Sequence, residues 1–450
     1  MTLRLTFEDG TLGIESDRQS DPPLEGLPSV EYDPRTDSAR APAHRYAAIR
    51  DVLRTLDADV DDQIAPTDSL TLTTSYELRT YQQEALSAWH EHNRRGVLEL
   101  PTGAGKTVIA LAAIAVLEAP TLVVVPTIDL LEQWQAELEC EFDVPIGRLG
   151  GGQQRIEALT VATYDSAYLR ADDLGDRFSF VVFDEVHHLG AEGYQDIARM
   201  LAAPDRLGLT ATFERPDRAH ETIAELVGPR VYEIAVDDLA GDHLAPYEIR
   251  RIEVELTPAE RAEYDEAQGT FLEYVRQANI TFSSGSDYLQ LVKRSGNDPR
   301  AREALLAKQR ARELMMNAEN KHHQLGRILE RHRHDRIIVF TAHTDLVYRL
   351  SERFLLPAIT SETATAERRE ILERFRDGTY SRIVAANVLD EGVDVPDANV
   401  GVVLSGSGSE REFTQRLGRI LRPKDDGGRA VLYELVSAET AEERIAERRR

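Results

Sequence analysis

Three short stretches hold residues whose types and spacing could do chemistry. In LELPTGAGKT, residues 99–108, Gly103 and Gly105 free the backbone N–H groups to wrap phosphates. Lys106 is a cation that can reach the outer phosphates, and Thr107 is a hydroxyl for Mg²⁺. The chain hardly uses lysine elsewhere: only Lys293, Lys308, Lys321 and Lys424. Leu100 and Pro101 stand where the relaxed pattern starts with glycine. In VVFDEVHHLG, 181–190, an apolar run ends in two carboxylates. Asp184 can hold Mg²⁺ through water, and Glu185 can orient or deprotonate an attacking water. His187 and His188 invite a zinc reading. Neighbours leaving a strand should point apart, however, and no third ligand clusters with them, so His187 is expected to couple the nucleotide site to a moving part. In QRLGRILRP, 415–423, Arg416, Arg419 and Arg422 recur every third residue and share a helix face. Arginines from a facing domain can neutralise charge on a transferred phosphoryl group; the alternative is a solvated basic face.

These residues need elements to position them. From residue 76, helical patterns alternate with short β-branched runs: GVLEL, TLVVVP, LTVATY, FSFVVFDEV and RLGLTAT. The alternation predicts a parallel sheet covered on both faces, with the glycine loop between a strand and a helix. Residues 257–333 turn long and helical, and a second alternation follows from RIIVFTA to AVLYELV. Upstream, Leu3, Leu5 and Phe7 alternate before EDG, then Leu12 and Ile14, which predicts a hairpin. Residues 16–42 show little periodicity, 44–56 have helical spacing, and 57–69 read as an acidic linker. The expected fold is α/β: two tandem parallel-sheet domains, at 71–245 and 246–450, a small α+β module at 1–70, and a helical insertion at about 257–325.

The formal net charge is -26, and the acid is spread along the whole chain rather than gathered in a tail. That pattern reads as the hydrated surface of a halophile. At molar salt the Debye length is about 3 Å, so an acidic protein can still bind nucleic acid through local contacts. Cys140 is the single cysteine and cannot form an internal disulfide. No apolar run approaches the ~20 residues that cross a bilayer, and the start does not read as a signal peptide, so a cytoplasmic protein without a membrane partner is expected.

The motifs in this order, LPTGAGKT, DEVH, LTAT and QRLGRILR, resemble the superfamily 2 helicases. The likeness extends to RTYQQEAL, VVVPTIDLLEQW, VATYDS, VFTAHTD and ANVLDEGVDVP. It covers roughly 76–435. More narrowly, DEVHH, QRLGRILRP and the opening LRLTFEDGTL…RAPAHRY resemble the archaeal relatives of the xeroderma pigmentosum group B helicase and its damage-recognition module. That family carries an Arg-Glu-Asp element after its TAT motif; here Arg215, Pro216 and Asp217 stand there, with proline for glutamate.

The resemblance implies two RecA-like domains with ATP between them. Gln82 and Arg79 would meet the base. Pro101, Thr102, Gly103, Ala104, Gly105, Lys106 and Thr107 would form the phosphate loop, with Asp394 joining from the second domain. Thr107 and Asp184 would hold Mg²⁺, and Glu185, Gln415, Arg419 and Arg422 would serve the chemistry. Pro126, Thr127, Thr163, Ser166, Thr341 and the backbone near Gly392 would grip DNA phosphates, which carries no sequence reading. Threonine and serine at these places have an ordinary alternative as caps at strand ends. The basic run 317–336 could touch DNA or be an exposed helix face. Tyr46 and Arg45 are too few for a stacking platform. The implied activity is that of an ATP-dependent 3′–5′ DNA helicase or duplex translocase in repair or transcription, with a nuclease or a transcription or repair protein as partner. The alternatives are a DNA-stimulated ATPase switch that opens DNA locally, and an RNA helicase with the same motor chemistry.

Overall fold

Short runs of β-branched and aromatic residues without polar alternation become strands buried on both faces. The computed structural model describes residues 2–16, 26–34, 38–56, 58–64, 66, 69–101, 103–214, 218–235, 247–280, 285–386, 398–405 and 430–443. The chain divides into two compact units near Leu239.

In the first unit the main sheet runs in the order Arg230–Glu233, Arg95–Glu99, Asp205–Thr210, Phe180–Asp184, Thr121–Val125, Leu159–Thr163, Ile146–Gly150, Gln153–Arg155. All pairings are parallel except the last, a short hairpin. TLVVV and FVVFD are buried at every position, as a sheet covered by helices requires. Arg206 lies in this core fully buried. Its guanidinium donates to the carbonyls of Ala198, Leu201, Ala203 and Leu226 at 2.6–3.1 Å. It thereby satisfies carbonyls at the ends of helices Gln195–Met200 and Ala219–Leu226, where a cation also meets the negative helix poles.

The N-terminal module belongs to the same unit. Its sheet runs Glu31–Asp33, Ser38–Pro42, Thr11–Ser16, Thr2–Glu8, Asp59–Asp62, and Leu3, Leu5, Leu12 and Ile14 pack on Tyr46, Ile49 and Leu53 of helix Tyr46–Thr55. Two expectations are corrected here. The stretch 57–69 is not a plain linker, because DVDD at Asp59–Asp62 pairs in parallel with Thr2–Glu8. Aspartate disfavours strands, but here the side chains have partners: Arg4 to Asp61 at 3.2 Å, and the Tyr46 hydroxyl to Asp62 at 2.6 Å. The stretch 16–42 also contains two strands, of three and five residues, too short to show a period. Tyr46 is buried, and Arg45 bonds Glu225 at 2.8 Å. Met200 packs over Gly10, and the Phe7 ring occupies the place where a Cβ on Gly175 would lie.

The second unit has an all-parallel sheet ordered Tyr247–Val254, Ala430–Ser437, Val400–Val403, Ile337–Phe340, Arg382–Ala385, Ala358–Ile359. Before its central strands come helices Pro258–Gln277, Gly285–Ser295 and Pro299–Met316, followed by Glu319–Arg331. TPAE starts the first of these as a capping box: the Thr257 hydroxyl accepts from the Glu260 N–H, and Glu260 accepts from the Thr257 N–H. Tyr264, Ala267, Ala311, Leu314 and Met315 form the helices' own core. In the basic run 317–336 Lys321 and His322 are buried, whereas His323, Arg327, Arg331, Arg333 and His334 are exposed. The Lys321 ammonium is fully buried and donates to both Glu442 carboxylate oxygens, at 2.6 and 2.9 Å, and to the Leu404 carbonyl at 2.8 Å.

Candidate nucleotide and nucleic-acid site

The phosphate loop follows strand Arg95–Glu99 and opens helix Lys106–Leu117. Gly103 and Gly105 both take positive φ, 86° and 75°. At Gly105 a side chain would also collide with the Gln82 carboxamide. Pro101 and Ala104 are buried, and Thr107 is half-buried in the first helical turn. The loop is braced from helix Thr80–Glu91: the Ala104 carbonyl accepts from the Tyr81 hydroxyl at 2.9 Å and from Gln82 Nε2 at 3.0 Å. Gln82 Oε1 accepts the Arg79 N–H at 2.9 Å. Gln82, expected at a base, is thus a buried strut between the cap of its own helix and the loop, while Arg79 stays exposed. Tyr81 was not singled out from sequence, since one tyrosine in an amphipathic helix gives no signal.

At the neighbouring strand end Asp184 is buried, with one oxygen accepting the Trp134 indole N–H at 2.8 Å and the other the Glu185 N–H at 3.0 Å. Burial, then the adjacent Glu185, pushes its carboxyl up to about 6; Lys106 and the Trp134 N–H oppose that rise. Glu185 takes a left-handed φ of 49°, which turns the chain into the 3-10 turn Val186–Gly190. Its Oε1 lies 3.7 Å from Lys106 Nζ. Its Oε2 is buried and has His187 Nδ1 3.4 Å away, but makes no hydrogen bond. Lys106 also reaches the Leu100 carbonyl at 3.4 Å. Leu100 therefore follows the strand and offers its carbonyl to the lysine.

His187 also sits 3.4 Å from the Thr210 hydroxyl, which accepts from the Thr212 N–H and donates to the Thr212 carbonyl. The turn after Asp184 is thus connected to LTAT. The two histidine rings do not point apart as expected: their centroids are 4.4 Å apart, because the chain leaves the strand into a 3-10 turn. Among the described residues no three His, Cys, Asp or Glu side chains gather as a separate metal site.

Two of the residues expected to grip a strand, Thr127 and Thr163, are engaged as caps. The Thr127 hydroxyl accepts from the Leu130 N–H, and the Thr163 hydroxyl accepts from the Ser166 N–H and donates to the Ser166 hydroxyl. Each of these threonines is the N-cap of a helix, Ile128–Glu141 and Tyr164–Leu169. Thr341 is 1 % exposed, and its hydroxyl pairs with that of Ser405 at 2.8 Å, so its side chain is closed to a ligand in this conformation. Thr102, Asp394, Gly392, Gln415, Arg419 and Arg422, and the Arg215–Pro216–Asp217 element, lie outside the described residues.

The residues present fit a magnesium nucleotide. A lysine and a glutamate carry long mutual contacts at the mouth of a glycine loop, Glu185 Oε2 has no donor, and each oxygen of Asp184 retains an acceptor site.

Residues 5–64 match the xeroderma pigmentosum group B helicase damage recognition domain, 75–215 the type III restriction enzyme res subunit, and 301–450 the ERCC3/RAD25/XPB C-terminal helicase. A DNA 3′-5′ translocase XPB2 of Sulfurisphaera tokodaii is 43% identical over 426 residues, covering 94% of this chain and 96% of the relative. The chain belongs to the XPB helicase family. A second XPB relative, the putative DNA 3′-5′ helicase Rad25 of Haloarcula marismortui, is 31% identical over 380 residues; the match covers 83% of this chain and 55% of that one. The crystal structure of the Pyrococcus furiosus Hef helicase domain superposes with a TM-score of 0.53 at 18% identity, over 83% of this chain and 98% of that one. That likeness supports the fold of tandem RecA-like parallel sheets. Among the described residues no helix is long and apolar enough to cross a membrane.

Proposed function

We propose that this chain is an ATP-driven DNA translocase of 3′ to 5′ polarity that opens or remodels duplex DNA in repair or transcription. The observation that carries the reading is the convergence of Lys106, Asp184 and Glu185 at the end of one sheet, on a chain matched nearly end to end by a relative named a DNA 3′-5′ translocase. The Gly103–Gly105 backbone and Lys106 bind the phosphates. Thr107 and Asp184 are the groups that would hold Mg²⁺, whose chemistry is to neutralise charge between the phosphates. Glu185 is the carboxylate that orients the attacking water. Gln415, Arg419, Arg422 and Asp394 are proposed partners on their sequence alone. Pro126, Thr127, Thr163, Ser166, Thr341 and Gly392 are proposed along the DNA track. Thr127 and Thr163 act there through helix N-termini, and Thr341 acts after a change of its present buried pairing.

A second reading, a DNA-stimulated switch that opens DNA locally without processive unwinding, draws on Pro216 in place of the family's glutamate. ATPase rates at high KCl on duplex, forked, bubble and single-stranded DNA, with matched RNA, test both. Stimulation by DNA well above that by RNA is expected; stimulation by RNA alone contradicts the proposal. Strand separation measured beside duplex translocation then distinguishes the two DNA readings.

A further inference from the structure

Trp134 is placed by more than the core. It is 1 % exposed on helix Ile128–Glu141, whose buried face also carries Leu130, Leu131 and Leu138. Of the side chains on this buried face, only the indole carries an N–H donor. The indole N–H can donate and cannot accept, and it ends on Asp184 at 2.8 Å. The other oxygen of Asp184 is held by the Glu185 N–H at 3.0 Å. One oxygen of this carboxylate is therefore tied to a helix and the other to the chain leaving the central strand. A shift of that helix against the sheet turns the carboxylate.

The same helix begins at Thr127, which caps it. Thr127 and Trp134 lie about two turns apart, roughly 10 Å along one rigid element. Hydrogen bonds weaken steeply with angle and with a few tenths of an ångström, so a small movement at the Thr127 end is felt at Asp184.

We propose that Trp134 is a positioning residue through which a DNA strand engaged at the Thr127 end of its helix sets the orientation of the Asp184 carboxylate. The inference rests on the DNA-translocase reading. It adds a specific route by which DNA raises ATP turnover: the strand presses or rotates the helix, the indole carries the motion, and Asp184 moves into register with the phosphate loop.

The test uses the full chain labelled with 5-fluorotryptophan at high KCl. The chain has two tryptophans, so ¹⁹F NMR gives two signals. Trp89, whose N–H bonds the Arg206 carbonyl at 2.9 Å, is the internal reference, and Trp134→Phe assigns the other. A forked DNA duplex without nucleotide should shift the Trp134 signal, and Mg²⁺ with AMP-PNP should shift it again, while the Trp89 signal stays. Trp134→Phe should bind the same fork, by anisotropy, as the wild type does. Its DNA-stimulated kcat should fall about tenfold, the scale of one charge-assisted hydrogen bond, with ATP KM within about twofold and a higher Mg²⁺ requirement. A fork that binds and stimulates the wild type yet leaves the Trp134 signal unmoved overturns the proposal while the translocase reading stands. So does a Trp134→Phe protein with wild-type stimulation and Mg²⁺ requirement. A variant that does not fold leaves the wild-type signal to decide. If the wild type binds no DNA, the reading beneath falls and the proposal with it.

Discussion

Lys106 Nζ stands 3.7 Å from Glu185 Oε1, so the cation of the phosphate loop and the carboxylate proposed to orient water face each other across the site. A bound phosphate would intervene between them, drawing the lysine and leaving the glutamate to the water. Glu185→Gln keeps the shape and removes the base; turnover should fall about 10²–10⁴-fold with nucleotide binding retained. Lys106→Ala should lose nucleotide binding itself. DNA-stimulated phosphate release, beside binding of a fluorescent ATP analogue, checks both; near-normal turnover in either folded variant means the site is elsewhere.

Gln82 joins the Arg79 N–H to the Ala104 carbonyl. These two hydrogen bonds, of about 1 kcal/mol each, tie the loop to the start of helix Thr80–Glu91, so Gln82→Ala should weaken ATP by about 5–30-fold. The brace acts on the phosphate side, so GTP should weaken too. Titration of both nucleotides decides: loss confined to ATP would assign Gln82 to the base alone.

His44 supplies a pH dependence in the N-terminal module. Burial, then the charges of Arg206 and Arg45, lower it to about 4; a hydrogen bond donated to the Arg199 backbone and the charge of Glu225 oppose this. Between that value and the ordinary 6.5 the unfolded chain binds more protons than the folded one. Stability from this group is therefore complete above about pH 6.5 and is lost as the pH falls toward 4. His44→Gln should lose less Tm than the wild type between neutral and mildly acidic pH. Parallel curves would remove His44 as the cause.

Lys321 and Glu442 form a fully buried pair that ties helix Glu319–Arg331 to the chain after the last described strand. Lys321→Met leaves a buried carboxylate without its cation and should cost about 3–5 kcal/mol. Adding Glu442→Leu should restore much of that. Denaturant unfolding of the second unit's transition measures it; a single variant as stable as the wild type contradicts the assignment.

The RecA-like sheets were legible because their strands are continuous apolar runs bounded by helical spacing, as in TLVVV and FVVFD. The phosphate loop was legible because its glycines, lysine and threonine sit at fixed offsets. What sequence missed depends on partners far along the chain. DVDD becomes a strand only because Arg4 and Tyr46 await its carboxylates. Trp134 touches Asp184 across fifty positions, and the four carbonyls around Arg206 come from two separate stretches of chain, 198–203 and 226. The histidine pair was misjudged because Glu185 adopts a left-handed turn that spacing alone does not announce.

The central claim, that hydrolysis at Lys106 and Glu185 drives motion along DNA, is tested most directly by displacement of a triplex-forming strand from duplex DNA at high KCl. The account predicts displacement that requires ATP, is absent with AMP-PNP, and is lost in Glu185→Gln. DNA-stimulated hydrolysis in the wild type with no displacement would contradict it.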